Sequence, residues 1–391
     1  MCSEIEIIRS AKYRLLPNAV QKSLLHNFFG ATRYTFNLYL SKTKESYFGK
    51  VINNKTGELV PRIPTEFDLS KALTSFKSEH PFLYCVPNMF LQAESKNLSS
   101  AYKKFFAKGG YPKFKSRKDK HQSINCYQGT NTKFDSEYIY LPVSRFSDSF
   151  NKEDFKIKYK KHKTNFSPKE KITGYTISKD NLDQYWISFT FKTKARTFKK
   201  KRKQIGTDLG IKDFIILSDG TKVPNDNLLK KAQYRLKREQ KSLSRKEKGS
   251  KNYKKQTIKV AKHHKKVANK RQHRNHSVSK KLIDLYDFIG LESLSVLQMI
   301  SRSNKGMRNA ISNASWFDFS SKIGYKMAES QGHFIQIDRY FPSTKLCFNC
   351  GNIRDIDLSE RIYTCECGYI EDRDINAAKN ILAEAKRIAG I

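Results

Sequence analysis

Four cysteines fall in two tight pairs, Cys347-Phe-Asn-Cys350-Gly and Cys365-Glu-Cys367-Gly, with 14 residues between the pairs. Four thiolates on two knuckles suit Zn²⁺, which accepts soft ligands tetrahedrally and has no geometric preference from its d electrons. Gly351 and Gly368 stand where the chain must turn for backbone N–H groups to approach sulfur. The second pair is spaced CxC rather than CxxC, a tighter bite. Four thiolates close the coordination sphere, so one structural Zn²⁺ is expected. Cys2, Cys85 and Cys126 lie far away along the chain and read as incidental or core residues. A His-rich run, His263, His264, His273 and His276, lies among lysines that would repel a dication.

A second set of residues is acidic. Asp208 follows Gln-Ile-Gly-Thr, Glu292 ends Phe-Ile-Gly-Leu-Glu, and Asp374 lies in Asp-Arg-Asp-Ile-Asn at the entry to a terminal helix. They are 84 and 82 residues apart, so only a fold can unite them. Taken singly, each could be a loop cap, and Asp374 could simply cap its helix. Together they suit phosphodiester hydrolysis, in which two Mg²⁺ ions held by carboxylates stabilise the attacking water and the leaving oxygen.

The setting makes these acids conspicuous. Lys and Arg total 76 against 37 Asp and Glu, a formal charge of +39 over 391 residues. Such a surface repels itself unless a polyanion, most commonly nucleic acid, neutralises it. The hydrophobic fraction of 38% and aromatic fraction of 12% exclude a disordered basic tail. No apolar run is long enough to cross a membrane. The first residues lack the apolar run of a signal peptide, so a reducing cytoplasm is expected. Residues 230–281 hold 21 Lys or Arg against two acids, too one-sided for solubility alone. Two helices joined near Gly249-Ser250 are expected there, facing phosphate with lysines such as Lys254, Lys255, Lys265 and Lys266.

The elements that must position these groups follow from periodicity. Residues 5–15 read as a strand, and residues 17–108 as a helical block with a loop at 49–64 and helices at 67–83 and 88–107. After the basic stretch GYPKFKSR the period becomes two. Strands are expected at 138–143, 155–159, 172–178 and 185–192, with a turn at Asp180-Asn181. They make a small barrel or sheet that the first strand joins. A basic hinge at 195–203 leads to a hairpin turning at Asp219-Gly220. A buried strand at 286–292, a helix at 315–331, a strand at 334–338 and a final helix at 376–389 complete the pattern.

The segments IGTDLGIKDFIILSDG, IGLESL, FPSTKLCFNCG and TCECG followed by DRDINAAKNI together resemble the TnpB family, transposon-encoded RNA-guided DNA endonucleases. YRLLPNAVQKSLLHNFFGATRYTFN, LQAESKNLSSAYKKFF and GYPKFKSR resemble it as well, so the likeness runs over nearly the whole chain. It implies a bilobed, multidomain α/β and α+β architecture. A wedge β-barrel would span 1–16 and 109–198, with a helical recognition insertion at 17–108. A RuvC-type, ribonuclease-H-like domain would span 199–345 and 370–391, with a zinc ribbon at 346–369. Asp208, Glu292 and Asp374 would match the family's catalytic triad, and the four cysteines its ribbon. A guide RNA from the transposon end would direct a monomer to double-stranded DNA beside a short motif. Asn88, Gln92 and Gln128 would read that motif, since amides suit base edges. The rival expectations are a guided repressor that does not cut, a guide-free accessory protein of transposition, and a metal-independent nuclease or recombinase using Ser or Tyr.

Overall fold

The computed structural model describes residues 6–391 apart from 54–56, 120, 128–131, 144–149, 161–171, 196–202, 226 and 358. Two compact units divide the chain, residues 1–194 and 195–391. Most of the hinge expected at 195–203 lies outside the described residues.

The first unit opens with β1 (Glu6–Leu15) and α1 (Ala19–Lys44). Asn18 starts α1 with a reciprocal cap: its side chain accepts from Gln21 N, and Gln21 Oε1 accepts from Asn18 N. A small hairpin, β2 (Lys50–Ile52) and β3 (Leu59–Pro61), occupies the expected loop. α2 (Glu66–Glu79) stops short of the expected residue 83, because Pro81 cannot supply a helical N–H and a 3₁₀ turn replaces it. α3 (Asn88–Phe106) follows. Then come β4 (Gln122–Cys126), β5 (Lys133–Phe134), β6 (Tyr138–Tyr140), β7 (Lys156–Lys160), β8 (Ile172–Lys179) and β9 (Tyr185–Lys194). The order is β4-β8-β9-β1-β7-β6-β5, antiparallel throughout. β1 does join this sheet, paired with β9 along its whole length. Asp180 shapes the β8–β9 turn by accepting from Leu182 N, Gln184 N and Trp186 Nε1. β4 was hidden in the basic stretch because five residues are too few to establish a period. Helices and sheet share one core, in which Phe28 of α1, Phe90 of α3 and Tyr175 of β8 form a chain of ring contacts.

The second unit is built on β10 (Gln204–Leu209), β11 (Asp213–Leu217), β12 (Lys222–Pro224), β13 (Phe288–Leu291) and β14 (His333–Gln336). Their order is β12-β11-β10-β13-β14. The first three are antiparallel, and β13 and β14 add in parallel beside β10. Between β12 and β13 stand α4 (Asn227–Ser244) and the 35-residue α5 (Lys251–Leu285), close to the expected pair. Buried Arg274 fixes the far part of α5: its guanidinium sits 3.9 Å from the Phe214 ring centroid and donates to Asn225 Oδ1 and the Asn313 and Ala314 carbonyls. α6 (Val296–Arg302) and α7 (Lys305–Ala314) were not anticipated; α8 (Trp316–Glu329) was. A short hairpin, β15 (Ile362–Thr364) and β16 (Ile370–Asp372), precedes α9 (Arg373–Ala389). α9 begins three residues earlier than expected, which places Asp374 in its first turn.

Candidate active site and metal centre

Strand register brings the first two acids together. Thr207 of β10 pairs with Leu291 of β13 in a parallel ladder, so Asp208 and Glu292 follow side by side at the carboxyl ends of neighbouring strands. That end of a parallel sheet is where side chains can converge on a ligand. Thr207 Oγ1 donates to the Gly290 carbonyl at 2.7 Å, and Leu209 N donates to Glu292 Oε1 at 2.8 Å, which fixes both.

α9 carries the third. The helix lies against β10 and β13 so closely that a Cβ on Gly206 would overlap the Ala378 carbonyl oxygen, and one on Gly290 would come within 2.8 Å of Ala385 Cβ. Asp372, not Asp374, caps the helix, accepting from Asp374 N at 3.0 Å and Ile375 N at 3.2 Å. Lys222 of β12 secures that cap with an ion pair to Asp372 at 2.5 Å. The Asp374 carboxylate is therefore not needed for capping. Its Oδ1 accepts from the Arg373 guanidinium at 3.2 Å. Sequence reasoning passed over Lys222, Asp372 and Arg373; the run of three charges in Asp-Arg-Asp was their one visible sign.

The electrostatics follow from crowding. Asp208 and Glu292 share a hydrogen bond between their carboxyl groups. Burial raises the Asp208 carboxyl to about 6, and the Asp374 charge adds to the rise. Burial, then the Asp208 charge, lifts Glu292 well above the ordinary carboxylate range. Like charges held together in this way favour a proton or a cation. Hard oxygen donors on two strands and a helix suit a divalent ion such as Mg²⁺. The set is looser than the cysteine cluster: its three carboxylates do not all lie within 4.8 Å of one another, and Asp374 is partly engaged by Arg373.

The four thiols are drawn tight. The Sγ atoms of Cys347, Cys350, Cys365 and Cys367 all lie within 4.8 Å of one another, with Cys347–Cys367 at 3.7 Å and Cys350–Cys365 at 3.5 Å. Tetrahedral Zn²⁺ with bonds of about 2.3 Å requires sulfurs about 3.8 Å apart, so the quartet fits. Both knuckles close by Gly N–H bonds, from Gly351 to the Cys347 carbonyl and from Gly368 to that of Cys365, each 3.0 Å. Gly351 and Gly368 adopt φ of 77° and 84°, a left-handed backbone natural to glycine. Among the described residues this is the only such group of His, Cys, Asp or Glu, so the His run of α5 forms none. Two amides of α9 tie the centre to the helix of Asp374. Asn376 accepts from Phe348 N and donates to the Leu346 carbonyl; Asn380 donates to the Ser343 and Leu346 carbonyls.

The remaining expected contacts are scattered. Lys254, Lys255 and Lys266 are exposed on α5 and Lys265 is half-buried. A groove of about 940 Å³ between the α4–α5 pair and α7 is lined by Lys230, Lys237, His264, Arg271 and Asn309, with Tyr234 standing 71% exposed on its wall. In the first unit, Gln92 lines a cavity of about 440 Å³ with Phe67, Lys96 and Tyr127. Lys96 Nζ lies over the Tyr127 ring at 4.3 Å from its centroid. Asn88 is exposed at the start of α3 and does not line that cavity. Gln128 lies outside the described residues.

Comparison with known proteins agrees over the whole chain. A family model described as "Probable transposase" matches residues 188–303, one described as "Cas12f1-like, TNB domain" matches 316–381, and one described as "Helix-turn-helix domain" matches 4–49. The last range folds mainly as β1 and α1. A Streptomyces pristinaespiralis protein named "Putative RNA-guided DNA endonuclease" is 31% identical over 382 residues, covering 97% of this chain and 89% of that protein. Its counterpart InsQ from Escherichia coli (strain K12) is 27% identical, covering 96% and 92%. Among solved structures, Cas12f1 in a complex with sgRNA and target DNA superposes with a TM-score of 0.51 over 96% of this chain and 98% of that one, at 10% identity. The mini-RNA-guided endonuclease Cas_phi3 gives 0.53 over 97% and 92%, also at 10% identity. At that identity the likeness speaks for a shared fold.

Proposed function

This chain belongs to the TnpB family of RNA-guided DNA endonucleases, and on that premise we propose that it cuts double-stranded DNA chosen by a guide RNA. The observation that carries the reading is the parallel register that sets Asp208 beside Glu292, with Asp374 on α9 near enough for its charge to act on Asp208, in a chain of charge +39. The strand order of the second unit, three antiparallel strands with two parallel ones added, supports a ribonuclease-H-like nuclease of RuvC type. The seven-stranded sheet of the first unit serves as the wedge barrel, α1 to α3 as the recognition helices, and residues 346–369 as the zinc ribbon. The guide, drawn from a transposon end, selects sequence by pairing, while the protein reads duplex shape and a short flanking motif.

Asp208, Glu292 and Asp374 would hold the two Mg²⁺ ions, and Cys347, Cys350, Cys365 and Cys367 one Zn²⁺. Bound divalent metal supplies charge neutralisation at the scissile phosphate and an acidified water. The protein's own part is to set the carboxylates. The β10–β13 register aligns Asp208 with Glu292, Leu209 N orients Glu292, and the Asp372 cap presents Asp374. Gln92 reads the flanking motif from its cavity, and Asn88 and Gln128 join it as motif readers. Lys254, Lys255, Lys265 and Lys266 hold phosphates.

The test uses protein purified with its guide. Asp208→Ala, Glu292→Ala and Asp374→Ala should each lower cleavage by orders of magnitude, while target binding stays near wild type because basic residues carry it. The double variant should be hardly worse than either single one, as for groups that act as a unit. Wild-type protein that binds but never cuts would favour the repressor; absence of any discrete co-purifying RNA would favour the accessory protein.

A further inference from the structure

The end of α3 and the loop that follows it carry a row of rings that neither the carboxylates nor the zinc centre uses. Phe106 ends α3, its ring centroid 5.4 Å from that of Phe105. Phe105 lies 5.2 Å from Tyr111. Lys44 Nζ, at the end of α1, reaches to 5.7 Å from the Tyr111 centroid and 4.7 Å from that of Phe114. The row thus runs from Phe106 to Phe114, and one ammonium joins its last step. Phe106 is 67% exposed, Tyr111 43% and Phe114 52%. Exposed rings are ordinary when scattered; contiguous ones mark a contact surface. The loop is fixed by bonds that do not involve the rings. The Asn37 side chain of α1 donates to the Lys115 carbonyl at 2.9 Å and accepts from Lys115 N at 2.8 Å. Lys115 Nζ pairs with buried Glu94 of α3 at 2.6 Å, and Pro112 is buried. A surface set before binding spares its ligand much of the ordering entropy.

Charge selects the occupant. Residues 95–118 hold seven Lys and one Arg and no acid. The acids that flank this stretch and Lys44 are engaged: Glu94 with Lys115, Asp119 with Ser116 N, and Glu45 with Ser41 and Lys42. Rings set among unmatched cations suit a polyanion with flat apolar faces, which is a nucleic-acid strand. A duplex hides its base faces in its own stack; an unpaired strand leaves them bare. Of the strands that the proposed function requires, the guide RNA accompanies the protein before any DNA is met. Rings left bare in the free chain call for that standing partner. We infer that Phe106, Tyr111 and Phe114 form a stacking platform for an unpaired stretch of the guide RNA, with its phosphates beside Lys44 and Lys113. The inference deepens the proposed function by naming a surface for its RNA partner, and it rests on that reading. It adds a hold on the guide that is indifferent to sequence, since every base has a stacking face.

The test must be local, because charge elsewhere binds any polyanion. Hydroxyl-radical footprinting of the full chain, read by mass spectrometry, reports on each ring. Three states are compared: protein freed of nucleic acid, protein purified with its co-expressed guide, and that complex after target duplex is added. Oxidation of Phe106, Tyr111 and Phe114 should fall severalfold from the first state to the second and change little in the third. A single-stranded uridine RNA of about 20 nucleotides, ample for one binding groove, should protect the rings of the freed protein, and the same oligomer annealed to its complement should not. Phe114→Ala should weaken binding of the single-stranded oligomer about tenfold, the scale of one lost stack, and leave the log–log salt slope unchanged, because no phosphate contact is lost with the ring. Phe114→Tyr should restore the affinity. If Phe114→Ala lowers the melting temperature, the wild-type footprints alone decide. Protection that appears only with DNA, that is equal with the annealed oligomer, or that never appears overturns the inference. Failure of the guided-endonuclease reading shows separately, as purified protein that carries no discrete RNA while the uridine oligomer still protects the rings.

Discussion

Asp208 and Glu292 are neighbours because a parallel ladder puts residues of equal register side by side, and their proximity is energetically adverse until something positive joins them. Their raised pKa values set a sign. In the metal-free fold these carboxyls hold protons at pH values where ordinary carboxyls have lost them. The native state thus gains stability from them as pH falls and loses it as pH rises through the folded-state values. Protons and divalent cations compete for the same oxygens, so metal affinity should fall as pH drops from about 8 towards about 6. Mn²⁺ titrations by calorimetry across that range should show weakening binding and proton release on binding. Affinity unchanged over the range would mean that the pair is already ionised and the crowding relieved.

Elements, rather than residues, decide whether the third carboxylate arrives. α9 can lie on β10 and β13 because Gly206 and Gly290 offer no Cβ where the helix crosses. Gly206→Ala sets a methyl against backbone that cannot rotate away, and should cost about 3 kcal/mol by overpacking. It should also impair cleavage at temperatures where the protein remains folded, since the Asp374 carboxylate moves with the helix. Denaturant melts read beside activity separate the two effects; full activity and unchanged stability would show that the helix can shift freely. The zinc centre is an element of the same kind, latched to α9 by Asn376 and Asn380. Cys347→Ser should remove about one Zn²⁺ per chain by metal analysis and loosen the start of α9, because structural metal binding is folding free energy. The α4–α5 pair answers to salt. Reversing charge at Lys254, Lys255, Lys265 and Lys266 should lower the log–log salt slope of duplex DNA binding by about 0.9 for each phosphate no longer neutralised. A wild-type slope would place those lysines away from the backbone.

At the scale of the whole molecule the governing quantity is a charge of +39. Self-repulsion on that scale opposes the compact state and is screened by salt. The free protein should therefore melt higher at about 500 mM than at about 50 mM NaCl, a difference read by calorimetry and set by the Debye length falling from about 14 Å to about 4 Å. RNA should raise the melting temperature further at low salt by binding the folded state. A free protein destabilised by salt would mean that internal ion pairs, such as Lys115–Glu94 and Lys222–Asp372, outweigh the repulsion.

Much of this architecture is local information. The Asn18 cap, the hairpin turn at Gly220, the pattern of β8 and β9 and the long basic helices were legible because short-range hydrogen bonding and apolar periodicity act within a few residues. The cysteine spacing was legible for the same reason: each knuckle closes on itself, and two such knuckles specify a tetrahedral centre wherever they meet. The short strands β2 to β5 and the helices α6 and α7 left no readable signal, since a few residues cannot display a period. The acids were recognisable as unusual, but not what each would do. Whether Asp374 or Asp372 caps α9 depends on where the helix starts, and that start is held by Lys222, which lies 150 residues earlier and reaches it only through the sheet. The alignment of Asp208 with Glu292 and the engagement of Asp374 by Arg373 are likewise properties of packing. Composition and spacing determined which groups this chain possesses. Tertiary structure alone decided which of them face one another, because those contacts join residues that sequence keeps far apart.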